Sequence, residues 1–480
     1  MPTQAGAALL LANGPHLFLD DYLIAYRSEI TRTVLPPARL VSNPLISGLQ
    51  TGNGDNNFDF VTNVLRDPQT GQFRMWYTTY DVVSGQRFSV RIDSPDGLHW
   101  QRPRVEVPGT RGAALADVFD QGAAVSDPAQ RYLAITVRDA NPQWFITLLS
   151  SPDSLHWHPV TPNIGTRVAY GEIWRIFKDI GTGGFALLHR WNRSFDWTDQ
   201  AGLTHHNTPQ NPTSTRLFAY SSSPDLQQIQ GAQIIFAPGP RDMGQTEFYS
   251  LSNIIHRGDA YIAMLDVLRD DVTAPGSPAK VDAPLMGRQF PVFGVGYTVL
   301  AWSHDGQNWF RDYETDPYFL MAPKVGSWEH AVAWINSVVE DGDSVFLYYG
   351  GYQYGHKVFV DRQIGLAMTP RDRYVAQTAG AEPGTLRTPL VTFQASSLSV
   401  NAAVARGGQI DLIVLGANGL PLPGFGPGEC SPVEGDHLTA TITCAAPFTR
   451  LANQPVYLQF NLTRAALFAF DLENSDGQNQ

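Results

Sequence analysis

The sequence predicts an all-β protein built as a five-bladed β-propeller followed by a β-sandwich. The first observation behind this prediction is an internal repeat, in which Ser-Pro-Asp or a close variant recurs at residues 94, 151, 223 and 303, with a weaker copy at 369. The second is the strand pattern, because short β-branched and aromatic runs separated by Asp, Gly and Pro turns precede every copy. The copies lie 57 to 80 residues apart, which is the length of one four-stranded blade with its loops.

The repeated motif is typical of a structural turn. Its fullest copy, at residues 94–100, reads Ser-Pro-Asp-Gly-Leu-His-Trp. Ser and Asp side chains satisfy backbone N–H groups in tight turns, Gly adopts positive φ, and a Trp ring packs between neighbouring sheets. We therefore interpret the acidic residues of the motif as turn formers that are remote from any chemistry.

The blades follow in order along a propeller predicted over residues 1–378, in which an N-terminal strand closes the ring. In blade one we expect strands at residues 60–66, 73–77 and 88–92. In blade two the inner strand is predicted at residues 123–126, ahead of the turn at Asp127. After a linker rich in Ala and Gly, strand patterning without the repeat predicts the β-sandwich over residues 385–480.

Charge and composition exclude several classes of function. The chain has 480 residues and a net charge of −12 without basic runs, which argues against nucleic acid and anionic membrane surfaces as partners. No apolar run is long enough to cross a bilayer. The apolar stretch at residues 5–12 lacks a basic flank and is at most the remnant of a secretory signal, so that we expect a secreted or periplasmic protein. The oligomeric state does not follow from the sequence.

The chain contains two cysteines, Cys430 and Cys444, which form either one disulfide across a hairpin or two buried free thiols. No group of Cys and His has zinc-ligand spacing, and there is no Gly-rich phosphate loop or Gly-x-Ser-x-Gly elbow. We therefore expect no cofactor, while a structural Ca²⁺ ion held by carboxylates stays an open alternative.

Function is expected where the inner strands of the blades open into the central tunnel. Each blade carries a carboxylate near the predicted start of its inner strand, namely Asp59, Asp120, Glu172, Glu247 and Glu329. Cleavage of a glycosidic bond needs one carboxylic acid to protonate the leaving oxygen and one carboxylate to act as nucleophile or base. Neighbouring carboxyl groups shift each other's pKa values apart, so that both roles coexist near neutral pH. The recurrent acids therefore predict an enzyme that cleaves the glycosidic bonds of an oligo- or polysaccharide.

Further residues near the same opening are candidates for substrate binding. Aromatic faces stack on sugar rings, and cations orient acids or tune their charge, although either type is also found in structural contacts. The candidate substrate-binding residues are Trp174, Arg190, Glu247, Tyr249, Trp328, Glu329 and His330.

Several segments resemble known carbohydrate-active enzymes. Residues 17–24 read Leu-Phe-Leu-Asp-Asp-Tyr-Leu-Ile, residues 43–45 read Asn-Pro-Leu, and residues 73–77 read Phe-Arg-Met-Trp-Tyr. Together with the Ser-Pro-Asp-Gly-x-x-Trp copies, they look like a family 32-like group of bacterial proteins. The five blades, the acid at each blade and the sandwich resemble the furanoside-cleaving glycoside hydrolases of families 32, 43, 62 and 68. The resemblance covers nearly the whole chain and implies cleavage of a fructoside or an arabinoside.

In those families the three essential acids open blades one, two and three in the order Asp, Asp, Glu. The resemblance therefore implies Asp59 as nucleophile or general base, Asp120 as transition-state stabiliser and Glu172 as general acid. Asp59 lies eight residues before the turn acid of its blade, whereas Asp120 and Glu172 lie seven before theirs. Because one residue turns a strand side chain to the other face, rival acids stay open. They are Asp55, Asp20 and Asp21 for the first acid, and Asp117 in blade two.

Two other classes of protein stay open. A non-catalytic carbohydrate-binding propeller would use the acids to hydrogen-bond sugar hydroxyls. A sialidase-like hydrolase would suit the turn motif, but it needs an Arg triad, a Tyr nucleophile and usually six blades. The Trp-x-Asn-Asp-Pro-Asn-Gly signature of family 32 is absent from the chain. Retention or inversion depends on the separation of the two carboxyl groups, which the sequence does not determine, and neither is endo or exo action determined.

Overall fold

A computed structural model describes residues 8–47, 58–80, 86–139, 144–161, 164, 170–179, 183–194, 197–198, 204–205, 214–239, 241–242, 244–283, 288–311, 319–320, 325–358 and 362–474. At some of these positions, Asp59 and Glu172 among them, the description covers the backbone alone. The described residues form an all-β structure whose helical segments are two short 3₁₀ turns, Pro128–Gln130 and Phe448–Leu451. These residues include no helix with the length and apolarity that a membrane crossing requires.

The N-terminal segment contributes strands to both parts of the molecule. Its strands are β1 (Leu9–Leu10), β2 (Gly14–Leu17), β3 (Tyr26–Ser28), β4 (Thr31–Val34) and β5 (Ala38–Arg39). The first four pair with strands near the C terminus. In contrast, β5 pairs antiparallel with the third strand of the last blade and is therefore the outer strand of that blade.

Five antiparallel units of four strands follow, each running from an inner to an outer strand. Blade one consists of β6 (Phe58–Arg66), β7 (Phe73–Tyr80), β8 (Arg87–Ser94) and β9 (Gln101–Glu106). Blade two consists of β10 (Ala114–Asp120), β11 (Tyr132–Asp139), β12 (Trp144–Ser151) and β13 (His158–Thr161). Blade three consists of β14 (Tyr170–Lys178), β15 (Phe185–Ser194), β18 (Ser214–Ser223) and β19 (Gln230–Phe236), with the inserted pair β16 (Trp197–Thr198) and β17 (Thr204–His205).

Blades four and five complete the series. Blade four consists of β20 (Thr246–Leu251) with its continuation β21 (Ile255–Arg257), then β22 (Ala260–Arg269), β25 (Val295–Ser303) and β26 (Phe310–Arg311), with the inserted hairpin β23 (Lys280–Ala283) and β24 (Arg288–Pro291). Blade five consists of β27 (Val332–Asp341), β28 (Ser344–Tyr352), β29 (Arg362–Pro370) and β5.

The five inner strands, β6, β10, β14, β20 and β27, form a closed ring. Each contacts the inner strands of the neighbouring blades, and β27 of blade five contacts β6 of blade one. Apolar side chains fill the spaces between blades; Met75 and Tyr77 of blade one, for example, pack against Phe346 and Tyr348 of blade five. The described residues therefore form the propeller that the internal repeat predicts.

The repeated motif closes the hairpin between the third and fourth strands of its blade. In blade one the Ser94 hydroxyl accepts a hydrogen bond from the Gly97 N–H (2.9 Å), and the Asp96 carboxylate accepts one from the Leu98 N–H (2.9 Å). The copy that begins at residue 303 repeats both bonds at the same distance. The motif therefore stabilises the turn by satisfying backbone donors, as its composition predicts.

The inner strand of blade two differs from the prediction. It is β10, Ala114–Asp120, whereas residues 123–126, predicted as a strand, lie in the turn that follows. This turn spans residues 121–131 and is closed by a hydrogen bond between its first N–H and its last carbonyl (2.8 Å). The equivalent turns at residues 67–72 and 179–184 are shorter. The prediction was wrong because it assumed one turn length for all blades.

The C-terminal strands form a sandwich around a bent hairpin. They are β30 (Val375–Ala379), β31 (Gly384–Arg387), β32 (Val391–Thr392), β33 (Ser397–Gly416), β34 (Asp436–Thr441) and β35 (Val456–Glu473). Strands β33 and β35 pair along their lengths, with a register shift between Val404 and Gln409. Val400 and Leu412, on either side of this bend, belong to one buried apolar core. The long hairpin therefore folds onto itself and forms both layers.

A disulfide crosslinks the C-terminal part of the chain, and an arginine joins this part to the propeller. Cys430 and Cys444 form a disulfide, which decides between the two alternatives that the sequence leaves open. Arg373, in the last turn of blade five, donates hydrogen bonds to the side chains of Asn401 (2.9 Å) and Asp436 (2.5 Å). Because β1 to β4 also pair in this sheet, it combines strands from both ends of the chain.

Candidate functional site

The inner strands begin at one end of the ring, which we call the mouth. Side chains of one inner strand donate hydrogen bonds to backbone carbonyls of the next, as Asn63 does to Val118 (2.7 Å) and Arg175 to Leu251 (2.5 Å), and these bonds hold the strands at the same depth in the ring. The residues at the start of each strand therefore surround the same opening. The turns that follow the inner strands lie at the opposite end.

Three of the five predicted acids belong to strand positions at the mouth. Asp59 is the second residue of β6, Glu172 the third of β14 and Glu247 the second of β20. The structure therefore brings the backbones of these residues to the same end of the ring. The side chains of Asp59 and Glu172 lie outside the described part of the structure, and that of Glu247 is buried. Asp55, the rival first acid, precedes β6 and also lies outside the described residues.

Asp120 occupies the opposite end of the ring, as the last residue of β10. Its carboxylate accepts hydrogen bonds from the Gly122 N–H (2.8 Å) and from the Arg131 guanidinium (3.3 and 3.4 Å). Arg131 also lies 3.8 Å from Asp67, in the inner turn of blade one. The structure therefore does not bring Asp120 together with the mouth acids.

The physical reason is the long turn of blade two. Glu172 lies seven residues before Asp179, the first residue of its inner turn, and the residue seven before Gln121, which begins the turn of blade two, is Ala114. Ala114 is fully buried at the start of β10. Blade two therefore presents an alanine where the sequence count placed a carboxylate.

A cluster of buried polar side chains fills the middle of the ring below the mouth. We call it the central polar cluster; its members are Asn63, Asp117, Arg175, Ser250, Asp266, Asn336 and Ser337. The Arg175 guanidinium donates to the carbonyls of Leu251 (2.5 Å) and Ala116 (2.7 Å), on two neighbouring inner strands, and lies 3.9 Å from Asp117. The cluster therefore joins the inner strands at mid-depth by hydrogen bonds.

The two carboxyl groups of the central polar cluster have raised pKa values. Burial raises the pKa of Asp117 to about 6, although Arg175 opposes this shift, and the carboxylate accepts hydrogen bonds from the Ile176 N–H (2.7 Å) and Asn63 (3.3 Å). Burial raises the pKa of Asp266 to about 8, against hydrogen bonds from Ser250, Thr298 and Asn336. Asp117, the rival acid of blade two, is therefore a structural member of this cluster, held by backbone and side-chain donors.

The mouth itself carries a second group of interacting side chains, the mouth cluster, whose members are Arg190, Arg216, Glu247, Tyr249, Trp334, His356 and Lys357. The Tyr249 ring stacks on Trp334, with centroids 4.5 Å apart and planes 12° apart. The Arg216 guanidinium lies 5.0 Å from the centroid of the same ring and forms an ion pair with Glu247. Since Tyr249 contacts both Trp334 and Arg216, this ring positions an arginine in the described structure.

Cations of blades three and five surround His356, which lies in the loop between β28 and β29. Burial, and after it Arg362, Arg216, Lys357 and Arg190, holds the pKa of His356 well below its ordinary value. The ring contacts Tyr249 edge-on, with centroids 4.5 Å apart. The imidazole is therefore neutral near pH 7 and lies where the electrostatic potential is positive.

The other predicted binding residues occupy different environments. Trp174 is fully buried between blades two and three and stacks on His189 (4.8 Å), so the structure does not bring it to the mouth surface. Trp328 stacks on Tyr349 within blade five. These two indoles are core or partly buried packing residues in the described structure.

Glu329 and His330 precede β27 and are buried. The Nε–H group of Arg39 in β5 donates a hydrogen bond that both carboxylate oxygens of Glu329 share (3.0 Å each), and burial raises the pKa of Glu329 in spite of this ion pair. The His330 Nε2 atom is buried without a hydrogen-bond partner among the described residues. Arg190 is buried beside Tyr249, with its guanidinium 5.9 Å from the ring centroid.

The rival acids Asp20 and Asp21 lie in the N-terminal segment. The Asp20 carboxylate accepts hydrogen bonds from the indole of Trp302 (2.7 Å) and lies 3.2 Å from His304, in the turn motif of blade four. Asp21 is exposed and pairs with Arg27 and Arg32 (both 3.1 Å). Both are therefore remote from the mouth. In the described part of the chain, no three His, Cys, Asp or Glu side chains form a group suited to hold a metal ion.

Sequence reasoning missed the central polar cluster and most of the mouth cluster. A signal for the first was present, because each inner strand carries a polar residue within an apolar run, as Asn63 does in β6 and Arg175 in β14. No local pattern identifies Arg216 or His356, since their significance comes from neighbours on other blades.

No protein-family model and no curated protein matches the chain. Solved structures that resemble it include a glycosyl hydrolase from Bacteroides ovatus, with 13% identity and a TM-score of 0.44 over 71% of this chain and 96% of that chain. Another is the β-1,2-mannobiose phosphorylase from Listeria innocua, with 12% identity and a TM-score of 0.42 over 69% of this chain and 96% of that chain. At this level of similarity no property of their sites is transferred to this chain.

Proposed function

We propose that the protein is an enzyme that cleaves glycosidic bonds at the mouth of its propeller. The observation that carries the proposal is the common position of Asp59, Glu172 and Glu247 near the starts of three inner strands. Cleavage of a glycosidic bond requires two carboxyl groups near the same bond, and inner strands of several blades can supply them at one opening. One group protonates the leaving oxygen, and the other attacks the anomeric carbon or activates a water molecule.

Within this proposal Glu172 is the general acid, and Asp59 is the nucleophile or general base. Glu247 forms an ion pair with Arg216 and contributes either to substrate binding or to the negative charge at the mouth. Asp120, expected from the resemblance as transition-state stabiliser, pairs with Arg131 at the other end of the ring, so we assign it no step. The sugar is a fructoside or an arabinoside on the same resemblance, and mannosides enter the tests because the neighbour from Listeria innocua is a mannobiose phosphorylase.

The test is the release of sugar from a panel of furanosides and pyranosides, including fructosides, arabinosides and mannosides. For the substrate that is cleaved, Asp59→Asn and Glu172→Gln are each expected to reduce kcat by about 100-fold or more, because general acid–base groups contribute this much. Glu434→Gln, which removes an exposed carboxylate of the C-terminal domain, is the matched control and should retain full activity.

The Asp120→Asn variant tests whether Asp120 is a catalytic acid, as the resemblance implies, or has no role in the reaction. We expect nearly full activity, because its ion pair lies opposite the mouth. A loss as large as that of Glu172→Gln would restore the role implied by the resemblance. Sugar binding without any cleavage across the panel would instead make the protein a carbohydrate-binding propeller and would overturn the proposal.

A further inference from the structure

We propose that the mouth contains a subsite for an oxyanion, centred on His356 and formed by Arg216 and Lys357, with Arg190 and Arg362 beside them. The anion is either a carboxylate carried by the sugar substrate or free inorganic phosphate, which share the oxyanion chemistry that such a site recognises. The inference rests on the proposed function, because it concerns the substrate class of the same opening.

The first support is the convergence of cations from three strands and one loop. Arg190 lies on β15 and Arg216 on β18 of blade three, whereas Lys357 follows β28 and Arg362 begins β29 of blade five. Arg362 donates to the His356 carbonyl (2.6 Å), and Arg190 and Arg216 lie over the Tyr249 ring that contacts the imidazole. Lys357 is the next residue in the chain, so the four charges lie near one point between the two blades. The net charge of the chain is −12, so an overall excess of basic residues does not explain why these cations lie together.

The second support is the imidazole itself. His356 is 7% exposed, and its Nδ1 atom has no hydrogen-bond partner among the residues that the structure describes. A buried polar atom of this kind is costly unless a ligand or water satisfies it. In the tautomer with a proton on Nδ1, the neutral ring donates a hydrogen bond to an anion without adding a further charge to the cations.

The third support is the way in which the cations are held. The Arg362 guanidinium donates to the carbonyls of His356 (2.6 Å) and Val358 (3.0 Å), which anchors the loop that carries the imidazole. Arg216 rests on Tyr249 and pairs with Glu247. The two side chains are thus fixed before a ligand arrives, which lowers the entropic cost of binding.

Two of the cations, Arg216 and Lys357, are accessible from solvent. The side chain of Arg216 is 22% exposed and that of Lys357 is 33% exposed, and Lys357 lies 3.1 Å from Asp270. Arg190 and Arg362 are almost fully buried. An anion at the mouth therefore meets Arg216 and Lys357 first, and the buried arginines reinforce the potential from behind.

The test is calorimetric titration of the full chain with three probes: inorganic phosphate, the hexuronate glucuronate and, as the neutral reference, glucose. We expect phosphate or glucuronate to bind, and glucose to bind at least 10-fold more weakly. Lys357→Gln and Arg216→Gln should each weaken binding of the anion at least 10-fold. Lys280→Gln, which removes an exposed lysine from the hairpin of blade four, is the matched control and should leave binding unchanged.

The tighter anion identifies the source, since phosphate points to a free co-substrate and glucuronate to a charged sugar. Absence of binding by both anions, or equal binding by all three variants and the parent chain, would overturn the subsite. Arg216→Gln also removes the ion-pair partner of Glu247 and can therefore affect folding. Lys357→Gln, at a more exposed position, keeps the test valid if the Arg216→Gln variant folds poorly. Because titration needs no turnover, anion binding without glycosidic cleavage would refute the proposed function alone, and cleavage without anion binding would refute the subsite alone.

Discussion

Replacement of Arg175 by methionine is expected to destabilise the propeller by about 3–5 kcal/mol, the usual cost of removing one partner from a buried ion pair. The guanidinium is fully buried and donates to the carbonyls of Ala116, Trp174 and Leu251, at 2.5 to 3.1 Å, on three consecutive inner strands. Methionine keeps the apolar stem but leaves these carbonyls without their donor and Asp117 without the positive charge 3.9 Å away. Water entering the vacated space recovers part of the loss, which keeps the estimate below the sum of the individual bonds.

The assay for this variant is denaturant unfolding followed by tryptophan fluorescence. All 11 tryptophans precede residue 335, so their emission reports on the propeller and not on the C-terminal sheet. Arg406→Met, at an exposed position of β33, is the matched control and should change the unfolding free energy by less than about 0.5 kcal/mol. A loss below about 1 kcal/mol for Arg175→Met would refute the view that this residue joins the inner strands.

Three further predictions concern stability. Burial raises the pKa of Asp266 to about 8 from its ordinary value of 3.8, so the folded chain keeps a proton that the unfolded chain releases above about pH 4. Its contribution is complete below about pH 4 and is lost between about pH 4 and pH 8, at about 1.4 kcal/mol per pH unit. Asp266→Asn should remove this share of the slope from the unfolding free energy measured against pH, most clearly between about pH 6 and 8, where Asp117 no longer contributes. Reduction of the Cys430–Cys444 disulfide should destabilise the C-terminal sheet by about 2–4 kcal/mol in thermal unfolding followed by circular dichroism, with the tryptophan-detected transition unchanged. Gly97→Ala should cost about 1–3 kcal/mol in denaturant unfolding, since a Cβ there meets the Tyr348 hydroxyl at 2.6 Å.

Each of these predictions has a control and a contrary outcome. An Asp282→Asn variant, at an exposed position of β23, should keep the pH slope of the parent chain; an unchanged slope in Asp266→Asn would count against the buried proton. A parallel shift of the tryptophan signal on reduction would place the effect of the disulfide outside the C-terminal sheet. Gly109→Ala shares the positive φ of Gly97 (78° against 72°) but meets nothing within 4 Å, so equal costs for the two would exclude the close contact as the cause.

The strand order and the turns could be predicted because their causes are local. Ser94 and Asp96 bond to donors within three residues, so the turn is encoded in the segment that forms it. The alternation and length of the runs likewise predicted the inner strand of blade one, since residues 60–66 lie within β6. The prediction failed in blade two, where the turn between β10 and β11 is 11 residues long and contains its own 3₁₀ segment. Turn length changes without disturbing the strands, and a count based on one turn acid therefore misplaces the residues ahead of it.

The candidate site was predictable in part for the same reason. The positions of Asp59, Glu172 and Glu247 along the chain were predictable because each is close in sequence to the start of its own strand, whereas their roles stay predictions. The partners of these positions were not found, since Arg216 meets Glu247 only when blade three packs against blade four. A side chain whose role depends on a neighbour on another blade leaves no periodic signal in its own segment.

The sequence by itself determined that the chain repeats a four-stranded unit, closes each unit with the same turn and carries carboxyl residues at the start of several inner strands. Only the tertiary structure decided that β1 to β4 pair in the C-terminal sheet, that Asp117 and Asp120 lie away from the mouth, and that cations of blades three and five meet beside His356. The physical reason is the range of the forces involved. Hydrogen bonds within a turn act between neighbours in sequence, whereas ring closure, burial and charge clustering join residues that are hundreds of positions apart.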